Sequence, residues 1–164
     1  MAEELMADMG RYVIGRCPDV LVALGLGSCI GCVLYDPQKK IGGMAHVMLP
    51  TREGCARNCS GEALNKFADV AIRAMYDELI KKGCKKERIS ARVAGGAHMF
   101  GAMSDEDFMN IGKRNYDMVC KELKALGIPI VLDKTGGATG RTIRFNTESG
   151  KITVKTKDGI NEYG

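Results

Sequence analysis

Between residues 24 and 49 the chain is punctuated by glycine in a way that leaves few folds open to it. Residues 24–35 read Leu-Gly-Leu-Gly-Ser-Cys-Ile-Gly-Cys-Val-Leu-Tyr, residues 36–40 (Asp-Pro-Gln-Lys-Lys) carry turn chemistry, and residues 41–49 read Ile-Gly-Gly-Met-Ala-His-Val-Met-Leu. Pro50 closes the second run, because proline has no ladder donor. The segment predicts an antiparallel hairpin, and a hairpin lets cross-strand partners be counted. If Tyr35 faces Ile41, Cys29 faces Val47; if Tyr35 faces Lys40, Cys29 faces His46. Either register sets a thiol and an imidazole on neighbouring positions, about 5 Å apart at Cβ. Cysteine beside histidine is the smallest apparatus that supplies a thiolate near neutral pH.

Elsewhere the pattern alternates between strand and helix. Residues 12–14 and 20–26 read as strands with Cys17-Pro18-Asp19 as the turn between them, and residues 1–10 read as a flexible polar tail. Ser60 is placed to cap a long helix reaching Lys82, whose apolar positions Leu64, Phe67, Ala71, Ala74, Met75 and Leu79 recur at three- and four-residue steps. Gly83 stops it. Residues 89–94 form a buried strand that runs into the glycine-rich loop 95–101. A second helix starts near Asn110, keeps Ile111, Val119, Leu123 and Leu126 on one face, and ends at Gly127. Residues 128–132 make a strand, and residues 141–146 and 151–157 a last hairpin. About seven strands, largely antiparallel, with two amphipathic helices give an α+β layered sandwich, expected as one domain over residues 1–164.

Composition narrows the functional classes. The net charge is +4, with five Tyr, four Phe and no Trp, and no basic–aromatic motif points to nucleic acid. No run approaches the ~18 apolar residues of a membrane span. Glu3, Glu4 and Asp8 do not suit a signal peptide, so a cytoplasmic protein without membrane insertion is expected. The seven cysteines then point to free thiols or metal in preference to disulfides.

Each candidate has a plainer reading beside it. Cys29 follows Gly27 and Ser28, where glycines permit close approach of a substrate and leave backbone N–H groups free for an oxyanion. It also suits a small buried hydrophobe opening a strand. His46 alternates with Met44 and Met48 on one strand face, a setting for a base or for a satisfied core histidine. Cys29-x2-Cys32 with Cys55-x3-Cys59 has roughly zinc-ligand spacing. Positions 29 and 32 nevertheless fall on opposite faces of an extended strand. No helix follows Cys32 as a thioredoxin-like redox motif requires. Residues 136–141 lack the Lys-Ser/Thr ending of a phosphate loop, and His98 reads as a surface histidine.

Five separated segments together resemble a known family. They are Leu24-Gly-Leu-Gly-Ser-Cys29-Ile-Gly, Gly42-Gly-Met-Ala-His46-Val-Met-Leu-Pro50, Gly95-Gly-Ala-His-Met-Phe100, Asn110-Ile-Gly-Lys-Arg-Asn115 and Gly136-Gly-Ala-Thr-Gly-Arg141. In this order they are similar to CheD, the chemoreceptor glutamine deamidases, over residues 12–157. The resemblance implies a sandwich like the catalytic domain of cytotoxic necrotizing factor toxins. It also implies hydrolysis of selected glutamine amides on methyl-accepting chemotaxis receptors to glutamate and ammonia, with no metal or other cofactor. By this carry-over Cys29 is the nucleophile and His46 the base. The family's third catalytic residue, a Thr six places before the cysteine, is Ala23 here, so only its backbone carbonyl remains to orient the histidine. A CheC-type CheY-phosphate phosphatase is the implied protein partner, with Phe100 at the contact; a Phe that plugs the core is the competing reading. Regulation of that phosphatase without turnover is the alternative to catalysis, and a zinc or redox module the remaining one.

Overall fold

The computed structural model describes residues 2–53, 60–99 and 110–164. Its ten strands are β1 (Glu4–Met6), β2 (Tyr12–Arg16), β3 (Val20–Leu26), β4 (Ile30–Asp36), β5 (Ile41–Val47), β6 (Ser90–Gly95), β7 (Ile130–Thr135), β8 (Arg141–Asn146), β9 (Ile152–Thr156) and β10 (Gly159–Tyr163). The two main helices are α1 (Ala68–Lys81) and α2 (Ile111–Leu126). One sheet has the order β1-β3-β8-β9-β10, the other β2-β5-β4-β6-β7. Among the described strand pairs, only β1–β3 and β6–β7 are parallel. The expected α+β sandwich of mostly antiparallel strands is present.

The layers follow from side-chain alternation. Every residue of β4 and β5 is buried, as a strand covered on both faces must be. From β4, Ile30, Cys32 and Leu34 join Ala71, Met75, Val119 and Leu123 of the helices in one core. Val33 and Tyr35 turn the other way and pack with Leu21, Leu26, Ile143 and Phe145 of the opposing sheet. The central sheet therefore has helices on one face and the second sheet on the other.

Several sequence expectations need correction. Residues 4–6 are not part of a flexible tail: they pair in parallel with Val20, Leu21 and Val22. The first helix does not run unbroken from Ser60. A 3-10 segment (Gly61–Lys66) precedes α1, and Phe67 between them is extended, with φ −96° and ψ 134°. The break arises because the backbone here completes a ladder: Met48 and Leu49 amides donate to the Lys66 carbonyl at 2.9 and 3.0 Å, and the Ala68 amide donates to Leu49. Ser60 makes no side-chain capping bond. At α2 the boundaries fall where expected. Asn110 accepts from the Lys113 amide at 3.1 Å, and Gly127 ends the helix at φ +73°.

The β4–β5 register is neither of the two expected. Asp36 pairs with Ile41, Tyr35 with Gly42 and Gly31 with His46. Asp36 is the last strand residue and not the first turn residue, because its buried carboxylate is fully used. It accepts from the Gln38, Lys39 and Lys85 amides at 3.0–3.3 Å, and from Arg88 Nε at 3.0 Å.

Candidate active site

Residues 24–26 are not part of the hairpin but the end of β3, and residues 27–29 carry the chain from one sheet to the other. β3 belongs to the outer sheet and β4 to the central one. The β3–β8 register slips between Ala23 and Leu26, and Gly25 takes φ +60°, a left-handed value that glycine adopts without Cβ strain. The three residues before β4 then present their carbonyls to two neighbours, the loop after β6 and helix α2. The Gly27 carbonyl accepts from the Ala97 amide at 2.8 Å, and the Cys29 carbonyl from the Gly96 amide at 2.8 Å. The Ser28 carbonyl accepts from Asn115 Nδ2 at 2.9 Å. Gly95 lies so close that a Cβ there would sit 2.2 Å from the Cys29 carbonyl oxygen. Among the described residues, no acceptor is bonded to the Ser28 or Cys29 amide.

Cys29 is half-buried and packs on the inter-sheet core. His46 is 2% exposed and lies opposite Gly31. Its strand neighbours Ala45 and Val47 point to the helix side, so its own ring points to the inter-sheet side. Extending the ladder one step beyond the Ile30–Val47 pair sets Cys29 opposite Met48. Cys29 and His46 are thus diagonal neighbours on one face, a relation that sets residues about 7–8 Å apart and their Cβ atoms somewhat closer. The intervening position is Gly31, which has no side chain to separate them.

The ring's protonation state follows from its partners. His46 Nδ1 lies 3.0 Å from the Ala7 carbonyl oxygen. A carbonyl only accepts, so Nδ1 carries the proton and Nε2 the lone pair. Nε2 is buried and has no hydrogen-bond partner among the described residues. Burial pushes the His46 pKa below its ordinary value, against the opposing pull of the Ala7 bond and Asp8. Burial pushes the Cys29 thiol up. At neutral pH the pair therefore rests as thiol and neutral imidazole, with a vacant proton acceptor at Nε2.

The remaining candidates are placed as follows. Gly27 and Ser28 lie on the crossover beside Cys29, and a Cβ on Gly27 would meet Met99 at 3.3 Å. Ala23 is fully buried in the inter-sheet core. The expectation that its carbonyl orients His46 is corrected: that bond comes from Ala7, on the segment read as a tail. Phe100 lies outside the described residues, as do Cys55 and Cys59. Cys32 belongs to the helix-side core while Cys29 belongs to the inter-sheet core, so the two do not converge. Among the described residues no group of three or more His, Cys, Asp or Glu side chains is disposed to hold a metal. No described helix is long and apolar enough to cross a membrane.

Sequence reasoning missed Ala7 and Asn115. Ala7 acts through its backbone and leaves no side-chain signal. Asn115 did leave one. Positions 112, 115, 119, 123 and 126 form the buried stripe of α2, and Asn115 is the polar side chain on it. Its Nδ2 donates to Ser28 and, at 3.0 Å, to the Met48 carbonyl.

Fold and site together define a class: a layered α+β protein with a cysteine and a histidine on one inter-sheet face, at a glycine-rich strand crossover. Residues 48–156 match the family model described as CheD chemotactic sensory transduction. The chain belongs to the CheD family. It is 43% identical over 152 residues to a probable chemoreceptor glutamine deamidase CheD of Caldanaerobacter subterraneus subsp. tengcongensis, covering 93% of this chain and 92% of the relative. It is 42% identical over 151 residues to the chemoreceptor glutamine deamidase CheD of Thermotoga maritima, covering 92% and 90%. With a probable chemoreceptor glutamine deamidase CheD of Clostridium novyi the identity is 45% over 154 residues, covering 94% and 93%. Alignments of this extent take in Cys29 and His46, which the family-model match does not reach.

Proposed function

We propose that this protein is a chemoreceptor glutamine deamidase in which Cys29 is the nucleophile and His46 the general base. The observation that carries the mechanism is the shared inter-sheet face of Cys29 and His46, with the lone pair at Nε2 unclaimed. The names of the relatives supply the substrate class, glutamine side chains of chemoreceptors.

The reaction starts from two neutral groups. As Cys29 Sγ attacks the glutamine amide carbon, its proton passes to His46 Nε2, and the imidazolium is stabilised through Nδ1–H to the Ala7 carbonyl. The carbonyl oxygen of the substrate takes up negative charge facing the unbonded amides of Ser28 and Cys29. The imidazolium returns its proton to the departing nitrogen, and ammonia leaves a glutamyl thioester. Water, activated by the same Nε2, then attacks the thioester carbon; sulfur leaves, is reprotonated, and glutamate is released. A CheC-type phosphatase remains the proposed protein partner.

The test is a mass measurement. Incubation with a chemoreceptor cytoplasmic fragment should add about one dalton at each converted glutamine. Cys29→Ala should abolish the increase while the variant still unfolds cooperatively. Undiminished conversion by Cys29→Ala refutes the assignment.

A further inference from the structure

We infer that Asn115 is a positioning residue: its side-chain amide locks the peptide before Cys29 and the strand end after His46 into one unit, and thereby aims the oxyanion donors. This rests on the deamidase reading of the site.

In a trans peptide the C=O of one residue and the N–H of the next point in opposite directions. Holding the Ser28 carbonyl therefore fixes the direction of the Cys29 amide, and holding the Gly27 carbonyl fixes that of Ser28. Ala97 N holds Gly27, and Asn115 Nδ2 holds Ser28. Two consecutive carbonyls pinned inward turn two consecutive N–H groups away from their clamps, and neither has an acceptor among the described residues.

Asn115 does more than a backbone clamp. Its second Nδ2 bond goes to the Met48 carbonyl at 3.0 Å, two residues beyond His46. One rigid amide thus ties the nucleophile's peptide to the base's strand, and a shift in one is passed to the other. With carbonyl oxygens as both neighbours, the group facing them is the NH2. Oδ1 consequently points elsewhere, buried and without a partner among the described residues, in a residue that is 0% exposed. A buried acceptor left unsatisfied is costly, and a leucine would fill the stripe without that cost. Helix placement is equally constrained. A Cβ on Gly112, one turn before Asn115, would lie 2.5 Å from the Ala97 carbonyl oxygen and 2.6 Å from that of Gly96. The helix touches the loop that holds Gly27 and Cys29, so the clamps form one assembly.

The experiment uses Asn115→Leu and Asn115→Ser, each first shown to unfold cooperatively. The inference expects kcat for glutamine conversion to fall at least thirtyfold with KM within threefold of wild type. It also expects Gly96 and Ala97 amide exchange to speed up at least tenfold, with exchange in the last two turns of α2 unchanged. A folded variant with kcat within threefold of wild type overturns it. So does an equal loss in kcat and rise in KM with no change at Gly96 and Ala97. The wild-type protein supplies an arm that needs no variant: the Asn115 side-chain protons should exchange at least a hundredfold more slowly than those of a free asparagine, and exchange at the free rate overturns the clamp. Wild-type protein that leaves every receptor glutamine intact refutes the deamidase reading instead; the clamp is then decided by exchange alone.

Discussion

Gly95→Ala tests whether the position of Cys29, the proposed nucleophile, depends on one missing methyl group. Gly95 has φ +100°, outside the range that L side chains adopt readily, and an added Cβ would lie 2.2 Å from the Cys29 carbonyl oxygen. Real Cβ atoms essentially never approach closer than 3.0 Å, so the gap must open by about 0.8 Å, the difference between those two distances. The atom in the way is backbone, bonded to Gly96 N, and it cannot swing aside like a side-chain tip. The dihedral strain costs roughly 1–3 kcal/mol, and the overpacking about the same again. A loss of roughly 2–6 kcal/mol in a chain of this size lowers Tm by roughly 4–24 °C. Displacement of a reacting group by about 1 Å costs about a hundredfold in rate. Gly61→Ala separates the two terms: Gly61 has φ +59° with nothing within 4 Å of an added Cβ, so it should lose only roughly 1–2 kcal/mol and keep its activity. Thermal unfolding and the receptor mass shift, read well below the variant's Tm, give both quantities. Gly95→Ala with activity within threefold of wild type would show that the site tolerates displacement of the Cys29 backbone.

The pH profile should separate a neutral pair from a preformed ion pair. With the His46 pKa lowered and the Cys29 pKa raised by burial, kcat/KM should hold level near neutrality and fall on an acid limb below pH 6.5 as His46 protonates; a limb lying above the ordinary histidine pKa would contradict it. The same shift has a sign for stability: the unfolded chain binds the His46 proton more readily, so stability drops as pH falls below about 6.5, measurable by urea unfolding of wild type against His46→Gln. Ala23→Thr should alter deamidation by less than tenfold, since His46 takes its orienting bond from Ala7; a hundredfold gain would show that a hydroxyl at this place matters. Asp36→Ala should cost about 3 kcal/mol, because it orphans amides of the β4–β5 turn and of Lys85. Burial raises the Asp36 pKa, but Arg88 and three amides outweigh it and hold it below the ordinary value, so its contribution is present above the unfolded carboxylate range and lost as pH falls through and below it.

What the sequence made legible is what side-chain type and spacing control. The antiparallel β4–β5 return, the buried Ala71, Met75 and Leu79 of α1, the buried Val119, Leu123 and Leu126 of α2, the stop at Gly127 and the opposite facing of Cys29 and Cys32 all follow from periodicity and from glycine. What stayed hidden was decided by backbone and by distance. Residues 4–6 have no alternating apolar pattern and become a strand through parallel pairing with β3. β10 is almost wholly exposed, so hydrophobicity gives no trace of it. The hairpin register depended on Asp36, whose turn-forming character concealed a carboxylate buried by Arg88 and three amides. The helix break at Phe67 came from a bridge to Leu49, a contact that no helical periodicity encodes.

Burial gives the site a chemical problem and also its solution. It raises the thiol and lowers the imidazole, so each partner is less ionised at rest than it would be in water. A nucleophile in that state gains nothing from a charged neighbour; its advantage must come in the transition state. There the same low dielectric strengthens any donor aimed at the developing oxyanion, provided the donor is fixed beforehand. A loop free to rotate its peptides would spend that gain on reorganisation. Pinning Gly27, Ser28 and Cys29 by Ala97, Asn115 and Gly96 removes the freedom before substrate arrives. For the nucleophile proposed here, the backbone around Cys29 is held by the loop of Gly96 and Ala97 and by Asn115 of α2, and variants that loosen either clamp should lose rate before they lose fold.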